Sequence, residues 1–260
     1  MYYGLYLSAS GVLANTHRQD VFANNLANVE TAGFKPMLAD VRQRPAESVE
    51  DRLPFRDRQP LLDRLGGGVL VEPRGAAFSA AAVNETGRPL DAALLDAETF
   101  FSVEVGLGQG RTQTRVTRNG QFVTDAQGFL RTSNGHRVLG EDDRPIQLDT
   151  GAGRIEIDAR GWLRQNGEDV VQLGVSRIDQ PGGQLRPAGD NTFAFLADDP
   201  RLPADDFGLA PKSLEASGAD PIATLMQVVS SSKSAMGNAT MMRYQDAMID
   251  RAVNTLGKVS

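Results

Sequence analysis

Apolar residues recur at spacings of three, four and seven at both ends of the chain, and at a spacing of two between them. Over residues 4–28, Leu5, Ala9, Val12, Leu13, Thr16, Ala23 and Leu26 predict a helix with one thin apolar stripe. Leu5, Val12 and Leu26 share one seven-residue repeat, with Gln19 as its polar exception. After Pro211 the same periods return through Ile222, Leu225, Met226, Val229, Met236, Met242, Ile249, Val253 and Leu256, and predict a helix over 221–256. Pro221 suits a first helical turn, with Ser217 and Asp220 available as caps. At 1.5 Å per residue that helix is roughly 54 Å long. A stripe so thin and so long fits a partner helix better than a globular core.

Between the helices the pattern is that of strands. Val69-Leu70-Val71 is a short apolar run, and turn signals follow at Asn119-Gly120, Gly128, Asn134-Gly135, Gly161 and Asn166-Gly167. Short segments at Gln121–Thr124, Phe129–Thr132 and His136–Leu139 lie between them, as in an antiparallel meander. Ile155, Ile157, Trp162, Leu163, Val170, Val171, Leu173 and Val175 continue the pattern, and Phe193 and Phe195 alternate as one more strand. Residues 40–75 differ: seven Arg mix with seven acidic residues, broken by Pro45, Pro54, Pro60 and Pro73. That composition predicts a solvated linker.

The predicted fold class is mainly β, a central all-β domain flanked by N- and C-terminal α-helices. The expected division is a helical assembly segment over 1–39 and 211–260, a charged Pro/Gly-rich linker or extended loop over 40–68, and a β-rich domain over 69–210.

The stretch Ala23–Lys35 ends the first helix. Asn24, Asn25 and Asn28 are poor helix formers, and with Thr31 they can cap carbonyls or bridge to a neighbour. Gly33 can take a left-handed conformation, and Phe34 follows as an apolar anchor. Simple capping and fixing the register between helices are both open roles for the three Asn.

Composition narrows the function. The net charge of −6 and pI near 5.1 give no basic surface for nucleic acid. Cysteine is absent, which removes disulfides, thiolate metal sites and thiol nucleophiles. His17 and His136 stand far apart in sequence, with no zinc-hydrolase spacing, and no Ser sits in a nucleophile elbow. The acidic pairs at Asp142-Asp143, Asp198-Asp199 and Asp205-Asp206 lie among loop formers, and Gly106–Gly110 lacks the GK[ST] of a phosphate loop. Asp125–Gly128 reads as a hairpin turn rather than a calcium loop. No enzyme, cofactor, metal or small-molecule substrate is expected. The N-terminus lacks the basic start and unbroken apolar run of a cleavable signal peptide.

Three ordered blocks carry a family resemblance. Ser8 to Lys35, SASGVLANTHRQDVFANNLANVETAGFK, closely resembles the N-terminal signature of the bacterial flagellar rod and hook proteins. Thr86–Asp91 is similar to their TGxPLD, Phe100–Val103 to FFxV, and Thr117 through Gly140 to TRxGxFxxDxxGxLxTxxGxxVLG. The third block is Leu214–Ser217 with the helix behind it, where Asn238 and Asp246 match. Met241-Met242 beside Arg243 and Asp246 leans toward the proximal rod proteins. The chain departs from the pattern at Leu95–Thr99, which lacks the usual glycines, and at Ser232–Met236.

The resemblance implies terminal helices paired as a coiled coil inside a helical assembly, with a β domain outside it. It implies a structural subunit of the flagellar rod in the basal body, self-assembling into the torque-transmitting rod. Other rod and hook–basal-body proteins, further copies of the chain and the flagellar type III export apparatus are the implied partners, with export that leaves the N-terminus intact. The expected assembly interface is Leu5, Val12, Asn24, Asn25, Leu26, Asn28, Phe34, Ile222, Val229, Met236, Asn238, Met242, Ile249 and Leu256. A β-rich binding or adhesion module on a helical oligomerisation stalk is the rival reading.

Overall fold

The structure, a computed structural model, describes residues 2–45, 66–72, 75–108, 110–149, 151, 153–204 and 207–256. The chain divides into two compact units, one of Met1–Leu26, Leu38–Arg74 and Pro221–Ser260, the other of Ala27–Met37 and Gly75–Asp220. These units cut the chain elsewhere than the sequence pattern does. The signature segment 27–37 and residues 211–220 go with the strands, and Val69–Val71 goes with the helices.

The helical unit holds α1 (Tyr2–Ala27), β1 (Val41–Gln43), β2 (Val69–Val71) and the long helix that closes the chain, Pro221–Leu256. The long helix spans the predicted residues. Val69–Val71, expected as the first strand of the β domain, instead pairs antiparallel with β1, Val41 opposite Val71. Its apolar run marks the element but not the partner, because β1 lies in the charge-rich stretch and has Val41 as its one apolar residue. Arg42 and Glu72 join across this ribbon at 2.9 Å. Residues 46–65 of the predicted linker lie outside the described residues.

The β unit holds β3 (Val83–Glu85), β4 (Ala92–Leu94), β5 (Thr99–Gly106), β6 (Thr112–Thr117), β7 (Phe122–Thr124), β8 (Leu130–Thr132), β9 (Arg137–Val138), β10 (Ile155–Ile157), β11 (Trp162–Gln165), β12 (Glu168–Gln172) and β13 (Val175–Arg177). One helical turn, α2 (Pro181–Gln184), separates these from β14 (Leu185–Pro187), β15 (Phe193–Phe195), β16 (Leu202–Pro203), β17 (Leu209–Pro211) and β18 (Ser213–Glu215). The long C-terminal helix is therefore α3. The largest sheet runs β14-β15-β6-β5-β9-β8-β7, with β13 pairing β5 beside β9 and β16 pairing β13. A second sheet, β10-β11-β12, is a meander.

Strand β5 is the axis of the unit. Successive side chains of a strand point to opposite faces. Phe101 accordingly packs with Phe122, Leu130, Val138, Leu163 and Leu173, while Phe100 packs with Val116, Ile178, Leu185 and Phe193. Both faces of β5 are thus covered, which is why Phe100 and Phe101 stand side by side rather than alternating with exposed polar residues. Phe78 closes the second cluster, edge-on to Phe193 at 4.9 Å and to Phe100 at 5.6 Å between ring centres.

Two turns share one construction. Asp125 accepts hydrogen bonds on one oxygen from the amides of Gln127 and Phe129, and Asp158 does the same for Arg160 and Trp162. Each leads into a strand of matching sequence, Gly128-Phe129-Leu130-Arg131 and Gly161-Trp162-Leu163-Arg164. Asp125 is therefore a turn former, its second oxygen 2.5 Å from Arg131 Nε.

Candidate functional site

Two arrangements stand out, one in each unit. In the β unit the three sequence blocks meet at a buried ionic cluster. Glu215, at the end of β18, accepts from Lys35 Nζ at 2.7 Å on one oxygen and from Arg118 Nε at 2.8 Å on the other. All three side chains are excluded from solvent. Lys35 also donates to the Ser79 carbonyl at 2.5 Å. Arg118 spends its other donors on the carbonyls of Asp96, of Thr99 at 2.6 Å and of Leu94 at 2.9 Å. Loss of solvation pushes the Lys35 ammonium below its usual pKa, and the Arg118 charge adds to this; Glu215 pulls the other way and offsets only part.

The signature segment is seated on this cluster by its backbone. Gly33 donates to the Glu215 carbonyl at 2.8 Å, and Gly218 donates to the Phe34 carbonyl at 2.9 Å. Ser217 Oγ donates to the Asn28 carbonyl, and Asn191 Nδ2 to that of Ala32, each at 2.9 Å. Gly33 has φ +63°, and a Cβ there would collide with the Arg118 carbonyl. Glycine is required on both counts. Sequence pattern singles out Gly33 and Phe34 but not the fact that Lys35, Arg118 and Glu215 form one site. They are 83 and 97 positions apart along the chain, and each is an ordinary charged residue until its partners are seen.

In the helical unit α1 and α3 approach each other antiparallel. A Cβ on Gly4 would lie 2.8 Å from Gln245 Nε2, and one on Gly11 would lie 2.6 Å from Asn238 Nδ2. Continuing by sevens from these two points leads to Arg18 and Asn25 on α1 and to Ser231 and Thr224 on α3. Of these, Asn25, Ser231 and Thr224 are buried. The facing seam is thus made of small and polar residues, flanked by Ala14 and Val21 as the buried apolar side chains of α1.

The seam determines where the predicted interface residues stand. Ile222, Val229 and Met236 each precede a seam position by two residues, which is 200° around a helix. They face away from α1 and are 73%, 46% and 67% exposed. Leu225, Met226, Met241, Tyr244, Met248 and Val253 extend this exposed apolar surface. Met242 and Ile249 flank the seam and are half-buried, as are Leu5, Val12 and Leu26 on α1, and Asn238 lies in the seam itself. Asn25 is buried and Asn24 exposed; Asn28 accepts from Thr31 Oγ1 at 3.1 Å. Phe34 is buried inside the β unit at 6% exposure, so its side chain packs within its own chain. Leu256 closes α3, and its side chain lies outside the described residues.

The β unit also has a cavity of about 410 Å³ beside Arg201. Arg201 is held by Asp143 at 2.5 Å and Asp199 at 2.7 Å, and its guanidinium is raised above its usual pKa; burial opposes this, and the two carboxylates prevail. Among the described residues no group of three or more His, Cys, Asp or Glu could hold a metal ion.

Comparison with known proteins gives two family matches. Residues 5–35 match the family described as flagella basal body rod protein, and residues 94–164 match the D1 domain of flagellar hook protein FlgE/F/G. The chain is 28% identical to the flagellar basal-body rod protein FlgF of Rhizobium meliloti over 254 residues, 98% of either chain. It is 27% identical to FlgF of Escherichia coli over 245 residues, 90% of either chain. The similarity to the rod protein FlgG of Bacillus subtilis is 26% over 268 residues, 96% of this chain and 97% of the relative.

Proposed function

We propose that this chain is a FlgF-like member of the family of flagellar basal-body rod proteins and a structural subunit of the flagellar rod. The observation that carries this is the likeness to curated rod proteins along nearly the full length, helices and β unit together. Its place is the flagellar basal body, among other rod and hook–basal-body proteins.

Assembly, not catalysis, is the mechanism. The polar seam between α1 and α3 leaves the apolar side of α3 uncovered, and in the rod this stripe packs against neighbouring subunits. Covering a large aliphatic side chain contributes about 1.5–3 kcal/mol when complete. Ile222, Leu225, Met226, Val229 and Met236 together can therefore supply several kcal/mol per subunit before ordering costs. Methionines suit such a surface, because their side chains adapt to non-identical neighbours. Contacts of this head-to-tail kind extend into a helical tube when they do not close. In the assembled state α1 and α3 pair as a coiled coil, further copies of the chain stack along the rod, and the subunit reaches its site through the flagellar type III export apparatus with its N-terminus intact. Deleting the gene and imaging isolated basal bodies tests the reading. Absent or truncated rods in non-swimming cells are expected; intact rods in swimming cells would refute it.

A further inference from the structure

The cluster around Glu215 holds one carboxylate between two cations, so it carries one net positive charge out of reach of water. The carbonyls of Ser79, Leu94, Asp96 and Thr99 absorb that excess. Stability alone does not account for such a cluster, since apolar residues of similar volume in place of a buried ion pair are commonly neutral or stabilising. Apolar residues cannot supply direction. Each charged hydrogen bond here has one partner and one geometry.

The chain passes between the two units at four places, at 26/27, 37/38, 74/75 and 220/221. The cluster gathers the ends of the β unit that lead to these places. Lys35 holds segment 27–37 to Glu215 and to Ser79 in the stretch after Gly75. The Ala81 amide donates to Glu215 at 3.2 Å, and the Ala77 amide to the Pro36 carbonyl at 2.9 Å. Residues 217 and 218, just before α3, bond to Asn28 and Phe34. Arg118 anchors the cluster in the core, between the first residues of β5 and the last of β4.

We infer that Lys35, Arg118 and Glu215 are positioning residues for assembly: they fix the one seat that segments 27–37 and 213–220 take on the β unit. They thereby fix the points from which the chain leaves for its terminal helices. This rests on the rod-subunit reading above. Incorporation into the rod depends on the charges of the cluster, while folding of the β unit does not.

The test uses the full-length chain in two forms, the apolar triple variant Lys35→Met/Arg118→Met/Glu215→Leu and the single variant Lys35→Met, which leaves the Arg118–Glu215 pair in place. Amide exchange is read at Gly33 and Gly218 and compared with amides of β5 and β6, and each gene is returned to a strain lacking the original. Exchange at Gly33 and Gly218 is expected to rise at least about tenfold with β5 and β6 unchanged, and swimming is expected to be lost. Protection that survives at Gly33 and Gly218, or that falls only in step with β5 and β6, overturns the inference. Swimming that persists despite the local loosening overturns it as well. If the triple variant fails to fold, Lys35→Met decides by the same comparison. The strain with the gene deleted is the reference: if it swims, the rod reading itself fails.

Discussion

At the residue scale, single positions in the β unit carry conformational demands that no neighbour can take over. Gly33 combines a left-handed backbone with a carbonyl where a Cβ would sit. The left-handed conformation costs an L-residue about 1–2 kcal/mol and overpacking about 1–3 kcal/mol, so Gly33→Ala should destabilise the β unit by roughly 2–5 kcal/mol. Urea unfolding followed by the fluorescence of Trp162 measures this. His136, half-buried, carries an electrostatic demand instead. Burial pushes its imidazole below 6.5, against Asp190 Oδ2 at 3.7 Å, and Arg115 lowers it further. Its folded-state pKa is therefore below its unfolded one, and its contribution is present above 6.5 and lost as pH falls through the lowered value. Melting temperature should drop as the pH falls below about 6.5, and His136→Gln should flatten that slope. An equal slope in both proteins would remove His136 as the cause. Gly33 is legible in the sequence because a glycine after a helix end signals a turn. His136 is not, since burial and the nearness of Asp190 depend on a turn 54 positions away.

At the element scale, apolar periodicity locates α1 and α3 nearly to the residue, because seven-residue repeats over 36 residues leave little freedom. It misleads on which side of α3 meets α1. Apolar positions mark a face that will be covered, and the simplest expectation is that the partner helix covers it. Gly4 and Gly11 instead let the polar side of α3 approach, at Gln245 and Asn238. A seam with Ala14 and Val21 as the buried apolar residues of α1 buries little against the entropy of ordering two long helices. The isolated chain should therefore show weak amide protection over 5–26 and 222–256, alongside strong protection in β5 and β6. Strong protection of both helices in a clean monomer would mean that the seam is sufficient and the exposed stripe is not needed. The ribbon of β1 and β2 shows the opposite limit: strands of three residues are too short to show a period.

At the scale of the whole molecule, the family signature is legible in the residues alone, but its physical content is not. ANNLANVETAGFK, TRNGQF and LEAS are three separated blocks that meet at Lys35, Arg118 and Glu215, and the pairing is a property of the β unit's topology rather than of any local pattern. In the helical unit, α3 has one face toward α1 and the other uncovered. The central claim is that this uncovered face meets other subunits in the rod. Photo-crosslinking in isolated basal bodies tests it most directly, with the probe at Met236 on the exposed side and, separately, at Asn238 on the seam. Met236 is expected to give adducts between chains and Asn238 adducts within one chain, to α1 near Gly11. Adducts between chains at Asn238 with none at Met236 would contradict the account.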